Sequence, residues 1–136
     1  LVSFIPMLTG TGGNCGAQSS ALIIRGLALD EIHFQDIFKA IFKEFRVAVV
    51  VGSMLAVVNG VRIMLMYHDA QIAVILGLSL LVTIVIAKMI GCMLPLLATR
   101  INVDPAIMSS PIVSTLVDAS SILIYFQIAT MVMPDL

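Results

Sequence analysis

The sequence has no tryptophan, two tyrosines, two histidines and two cysteines in 136 residues. With Tyr67 and Tyr125 as the only amphipathic rings, no aromatic belt marks a membrane–water boundary. Cys15 and Cys92 each lie in an apolar stretch, too few for a disulfide framework, and read as buried thiols. His33 and His68 fall on opposite sides of the second apolar segment, so no imidazole–thiolate cluster of the zinc or copper kind is present. Charge is scarce as well. Charged residues make up 11% of the chain and hydrophobic residues 60%, whereas soluble domains carry about 25% charged residues. That balance places the chain in the membrane class and offers no surface for nucleic acid. Leu1 carries no basic n-region, so no signal peptide is expected, and the sequence reads as if cut from a longer protein.

No strand-like alternation is present, and the expected architecture is an all-α, polytopic membrane helix bundle, one membrane domain over residues 1–136. Four spans are visible: residues 1–29, 47–66 with Arg62 near its end, 70–99 with Lys88 inside and a kink expected at Pro95, and 105–133. Between the first two, Phe34, Ile37, Phe38, Ile41, Phe42 and Phe45 repeat with helical spacing and form one apolar stripe. Gln35, Asp36, Lys39, Lys43 and Glu44 occupy the other side. This segment reads as an amphipathic interfacial helix, lying either in the membrane surface or under its own bundle. Arg25, Lys39, Lys43 and Arg46 border the first loop, and Lys88 and Arg100 lie toward the third. By the positive-inside rule both loops face the cytoplasm of a cell (inner or plasma) membrane, and the 67–70 turn faces outward.

Thr9 through Ser20 interrupts the first span with small polar residues and with Gly10, Gly12, Gly13 and Gly16. Each glycine costs about 1 kcal/mol in a helix relative to alanine, so a broken first helix is expected, with carbonyls freed at the break. Discontinuous helices of that kind hold substrate sites in transporters. Close packing through Gly12 and Gly16 is the alternative. No Walker lysine follows the glycines, which discards a nucleotide cradle.

Asp118 is the only charged residue between Pro105 and Pro134, and it lies near the middle of that run. A carboxylate in hydrocarbon costs about 2.5–3.5 kcal/mol or more, so intramembrane acids face a cavity or a partner. Ser110, Ser114, Asp118, Ser121 and Tyr125 follow at steps of four, four, three and four, one polar stripe on an apolar helix. Asp104 caps that helix with Pro105 behind it, or attracts cations at the cytoplasmic mouth as well. Lys88 is a possible salt-bridge partner for Asp118, although its long stem also lets it snorkel toward the cytoplasmic end. All the candidate groups are oxygen donors, which suit hard cations, and few carboxylates per chain suit Mg²⁺ held through its waters. No nucleophile–base pair points to an enzyme. A divalent cation channel and a secondary transporter coupled to Na⁺ or H⁺ both fit a broken helix with one buried acid.

The stretch P-M-L-T-G-T-G-G-N-C-G-A-Q-S-S-A-L-I-I-R, residues 6–25, resembles the signature of the MgtE family of magnesium channels. Residues 104–118 are similar to that family's last helix, and Gly91-Cys92-Met93-Leu94-Pro95 to its fourth. The resemblance covers nearly the whole chain. It implies a homodimer of five-helix membrane domains, so one further helix and Mg²⁺-sensing regulatory domains are expected outside this sequence. It implies that Asp118 binds hydrated Mg²⁺ together with a Ser114 carbonyl, and that Asp104 belongs to a cytoplasmic-side ion site. Gly10, Gly13, Asn14, Ser110 and Ser121 would line the pore.

Overall fold

The computed structural model describes residues 1–135. Four long helices make up the chain: α1 (Ile5–Ala28), α2 (Ile37–Tyr67), α3 (Ala70–Arg100) and α4 (Ser110–Val132). Short 3-10 turns at Val2–Phe4, Phe34–Asp36 and Pro105–Met108 precede α1, α2 and α4. No strand occurs among the described residues. The helices alternate in direction. α3 is central and touches the other three; α1 and α4 pack on it and on each other, and α2 packs on another side of it.

Local chemistry sets the turns. α1 and α3 end in the same closure: Glu31 N–H donates to Gly26 O and Val103 N–H to Ala98 O, both at 2.9 Å, with Asp30 and Asn102 in the left-handed region at φ 57° and 56°. These are Schellman motifs built on residues that tolerate positive φ. α2 stops at His68, also left-handed, and Asp69 starts α3 by accepting from Gln71 N–H at 2.9 Å and Ile72 N–H at 3.2 Å. At the end holding Leu1 and this turn, Leu8, Ile63, Leu76, Leu80 and Tyr125 form one apolar cluster. Ile23, Cys92 and Leu96 form another at the opposite end. Cys15 and Cys92 are free, buried thiols, as expected.

Three expectations are corrected. The first helix is not broken: α1 runs without interruption through all four glycines. A Cβ added at Gly12 would lie 2.7 Å from Thr83 Cγ2 and 3.0 Å from Val117 Cγ1, and one at Gly16 would lie 3.1 Å from the Ala87 carbonyl. One at Gly91 would collide with the Gly16 carbonyl. Close backbone approach to α3 and α4 offsets the glycine cost, and an unbroken helix keeps its hydrogen bonds where no water replaces them. The amphipathic segment is likewise not a separate helix, because nothing around Arg46 breaks the chain and α2 continues through it. α4 starts at Ser110, since the Pro105–Met108 turn takes up the preceding residues. Asp118 therefore lies about 12 Å along α4, nearer the cytoplasm-assigned end than the run of uncharged residues suggested.

Candidate ion site

α1 turns two faces in two directions. Gly12 and Gly16 are buried against α3 and α4, whereas Gly10, Thr9 and Asn14 remain open or half-open. A Cβ on Gly10 would meet nothing within 4 Å. Gly13 looks onto α4: its Cβ would sit 3.6 Å from Asp118 Oδ1 and 3.7 Å from Ser114 Oγ. Those distances are ordinary contact, so the missing side chain leaves room directly beside the carboxylate. Pro6, Thr9, Gly10, Gly13, Asn14, Ser114 and Asp118 together line an open groove of about 270 Å³.

The groove is an oxygen-rich wall. Ser114 and Asp118, four residues apart, lie on one side of α4. The hydroxyls of Thr115, Ser120 and Ser121 donate to carbonyls of their own helix at 2.8, 2.8 and 2.6 Å. The Ser114 hydroxyl makes no such bond among the described residues, which leaves it available to the groove. Its carbonyl belongs to the interior of α4, so an ion contact there would use the second lone pair. Asp118 is half-buried and joins no ion pair among the described residues. No group of three or more His, Cys, Asp or Glu side chains capable of holding a metal occurs among those residues. One chain thus offers a single carboxylate with neutral oxygens around it, a donor set that fits a hydrated hard cation better than a stripped one.

The structure brings Gly10, Gly13, Asn14, Ser114 and Asp118 into one place. Ser110 is exposed at the start of α4, outside the groove lining. Ser121 is buried instead, its hydroxyl 3.2 Å from a Cβ placed on Gly12. Tyr125 is buried too and donates to the Leu1 carbonyl at 2.7 Å. Asp104 lies at the end of the bundle, exposed, where one carboxylate oxygen accepts from Ala106 N–H at 3.0 Å. It lines a separate cavity of about 940 Å³ with Asp30, His33, Arg100 and Asn102.

Sequence reasoning missed a buried polar contact. Glu44, read as part of a solvated face, turns inward and is 6% exposed; Lys88 is 5% exposed. Lys88 Nζ donates to Glu44 Oε2 at 3.2 Å and to Ser19 Oγ at 3.1 Å, and Ser19 Oγ donates to Glu44 Oε2 at 2.6 Å. Lys88 is therefore committed to Glu44 and not to Asp118. The signal available was Lys88 alone in an apolar span, with Glu44 the one acid among basic residues at the start of the preceding helix.

A family model described as "MgtE: Divalent cation transporter" matches residues 5–128, which takes in α1, the groove and α4 to beyond Asp118. The chain belongs to the MgtE family. It is 38% identical over 130 residues to the magnesium transporter MgtE of Bacillus subtilis, covering 96% of this chain. Identity to the magnesium transporter MgtE of Thermus thermophilus is 37% over 133 residues, and to that of Enterococcus faecalis 35% over 137, each covering 98% of this chain. The chain spans 29% of the length of each of these relatives. Among the described residues of this MgtE-family chain, Phe34–Tyr67, α3 and α4 are long and apolar enough to cross a membrane, which makes it a multi-pass membrane protein; α1, whose glycines and small polar residues lower its hydropathy, is not among them, so three of the four expected spans are seen.

Proposed function

We propose that this chain is the ion-conducting domain of a Mg²⁺-selective channel, in which Asp118 recognises the ion through its hydration shell. One observation carries the reading: α1 and α4 place Gly13, Asn14, Ser114 and Asp118 around a single open groove. A groove open on one side is half of a passage. A second copy facing it in a homodimer would supply a second Asp118, and the relatives named as magnesium transporters support Mg²⁺ as the ion carried. Two carboxylates attract a divalent cation about four times as strongly as one carboxylate attracts a monovalent cation at equal distance. At roughly 4 Å and an effective dielectric near 20, each unit-charge pair contributes about 4 kcal/mol. Mg²⁺ dehydrates reluctantly, so water-mediated contact to Asp118, Ser114 and Asn14 costs less than stripping the ion. Asp104, at the cytoplasm-assigned end, would raise the local cation concentration there. The process is transport and not catalysis.

Liposomes containing the chain and a Mg²⁺-sensitive dye test this reading. Flux is expected to follow membrane potential and to persist without a Na⁺ or pH gradient, whereas a coupled transporter stops when its gradient is removed. Asp118→Asn keeps the volume and a carbonyl oxygen but removes the charge, and is expected to lower flux at least about tenfold, equivalent to about 1.4 kcal/mol. Parental flux in that variant would overturn the proposal.

A further inference from the structure

α2 is longer than a bilayer core is thick. Its 31 residues form a rod of about 46 Å, against about 30 Å of hydrocarbon. The apolar stretch beginning at Val47 fills that core, which leaves residues 37–46 at headgroup level. Four charged side chains lie there: Lys39, Lys43, Glu44 and Arg46. Glu44 is buried and neutralised by Lys88. The other three are exposed, and among the described residues none of them joins an ion pair. The outward charge of this segment is wholly positive. Steps of four and three between Lys39, Lys43 and Arg46 put them on one side of the helix.

Beneath these cations α2 presents an open surface groove of about 370 Å³, lined by Lys43, Arg46, Val47, Val50 and Val51 of this one helix. Two positive groups form its upper edge and three valines the rest. The Arg46 guanidinium lies 5.0 Å from the centroid of Phe42, which is 61% exposed and holds the cation against its face. Charge above branched aliphatic surface, at the depth where headgroup gives way to acyl chain, is the complement of one molecule class. The paired cations at the headgroup end of the face favour a phosphate-bearing lipid over a further apolar helix, which would leave both charges without a counter-ion. We infer that this open groove binds an anionic phospholipid, its phosphate between Lys43 and Arg46 and one acyl chain along Val47, Val50 and Val51. One turn outward, Lys39 faces a separate pocket that also holds Glu31 and Asp36, so the phosphate position rests on Lys43 and Arg46.

Residues 1–136 contain no tryptophan, and subtracting the signal of the unsubstituted protein isolates one introduced indole. Phe42→Trp places it at the groove, and Val58→Trp, exposed on the same helix at mid-membrane, is the control. Each variant of the full chain is reconstituted in mixtures of phosphatidylcholine and phosphatidylglycerol in which one or the other is brominated. Quenching at Phe42→Trp is expected to favour phosphatidylglycerol at least about threefold, with near parity at Val58→Trp. Lys43→Gln with Arg46→Gln, at surface positions that leave the bundle packing intact, is expected to remove that preference. Equal quenching by the two lipids at Phe42→Trp overturns the site. A preference that survives the paired substitution, or one equally large at Val58→Trp, overturns it as well.

Discussion

Lys88 of α3 places its ammonium 3.2 Å from the Glu44 carboxylate of α2, and Ser19 of α1 bonds to both, so one buried contact ties three helices together. Removing one partner of such a pair strands a charge and costs about 3–5 kcal/mol, whereas replacing both with apolar groups is often close to neutral. Lys88→Met is therefore expected to lower the thermal midpoint of the detergent-solubilised chain. Adding Glu44→Leu should recover most of the loss. Size-exclusion recovery after heating measures both, and a double variant as weak as the single one would assign the loss to packing.

Gly10 and Gly13 of α1 and Gly91 of α3 separate by what a side chain there would meet. Gly91→Ala drives a methyl into the Gly16 carbonyl and is expected to reduce folded protein severely, because backbone cannot yield as a side chain does. Gly10→Ala meets open space and should be neutral or stabilising by up to about 1 kcal/mol. Gly13→Ala fits in van der Waals terms and should fold, yet it fills the space beside Asp118 and should cut Mg²⁺ flux. Folding yield and flux, measured in parallel on the three variants, test the division. Normal flux in Gly13→Ala would take that residue out of the ion path.

Asp118→Glu retains the charge and advances it by about one methylene toward α1. A water-mediated site depends on spacing, so this variant should lose Mg²⁺ preference over Na⁺ while still conducting cations. Mg²⁺ block of Na⁺ current, titrated on the parent and on the variant, measures the loss.

Cysteine labelling can fix the orientation against a low background, because Cys15 and Cys92 are both buried. Gln71→Cys, exposed beside the α2–α3 turn, should react with an impermeant reagent on intact cells. Asn102→Cys should react only after permeabilisation. The opposite pattern would invert the topology.

Helical class, four long segments and the acid on the last of them were legible because hydropathy and one isolated charge are local properties. The continuity of α1 was not. Gly12 and Gly16 weaken a helix in isolation, and only the arrival of Thr83, Val113 and Val117 from distant sequence explains why they keep it. Glu44 was misread for a related reason: period alone placed it on the polar face, but its partner sits 44 residues away on α3. Ser121 continues the spacing of Ser114 and Asp118, yet its three-residue step turns it into the α1 contact. In the site, Asp118 and the Ser114 hydroxyl stood out by residue type and spacing, Gly10, Gly13 and Asn14 came with the family resemblance, and the groove joins them; Thr9 and Pro6 were added by the fold.

Because the Gly16 carbonyl rests directly against Gly91, no rotamer lies between α1 and α3 at that height. The wall opposite Asp118 cannot be widened by a side chain swinging aside. It moves only if the whole of α1 moves, as a stiff lever bearing on that contact. The lever is fastened toward both ends, by the Tyr125 hydroxyl on the Leu1 carbonyl and by the Ser20 hydroxyl on the Met108 carbonyl. Any change of width beside the carboxylate is therefore mechanically tied to the two membrane surfaces at once.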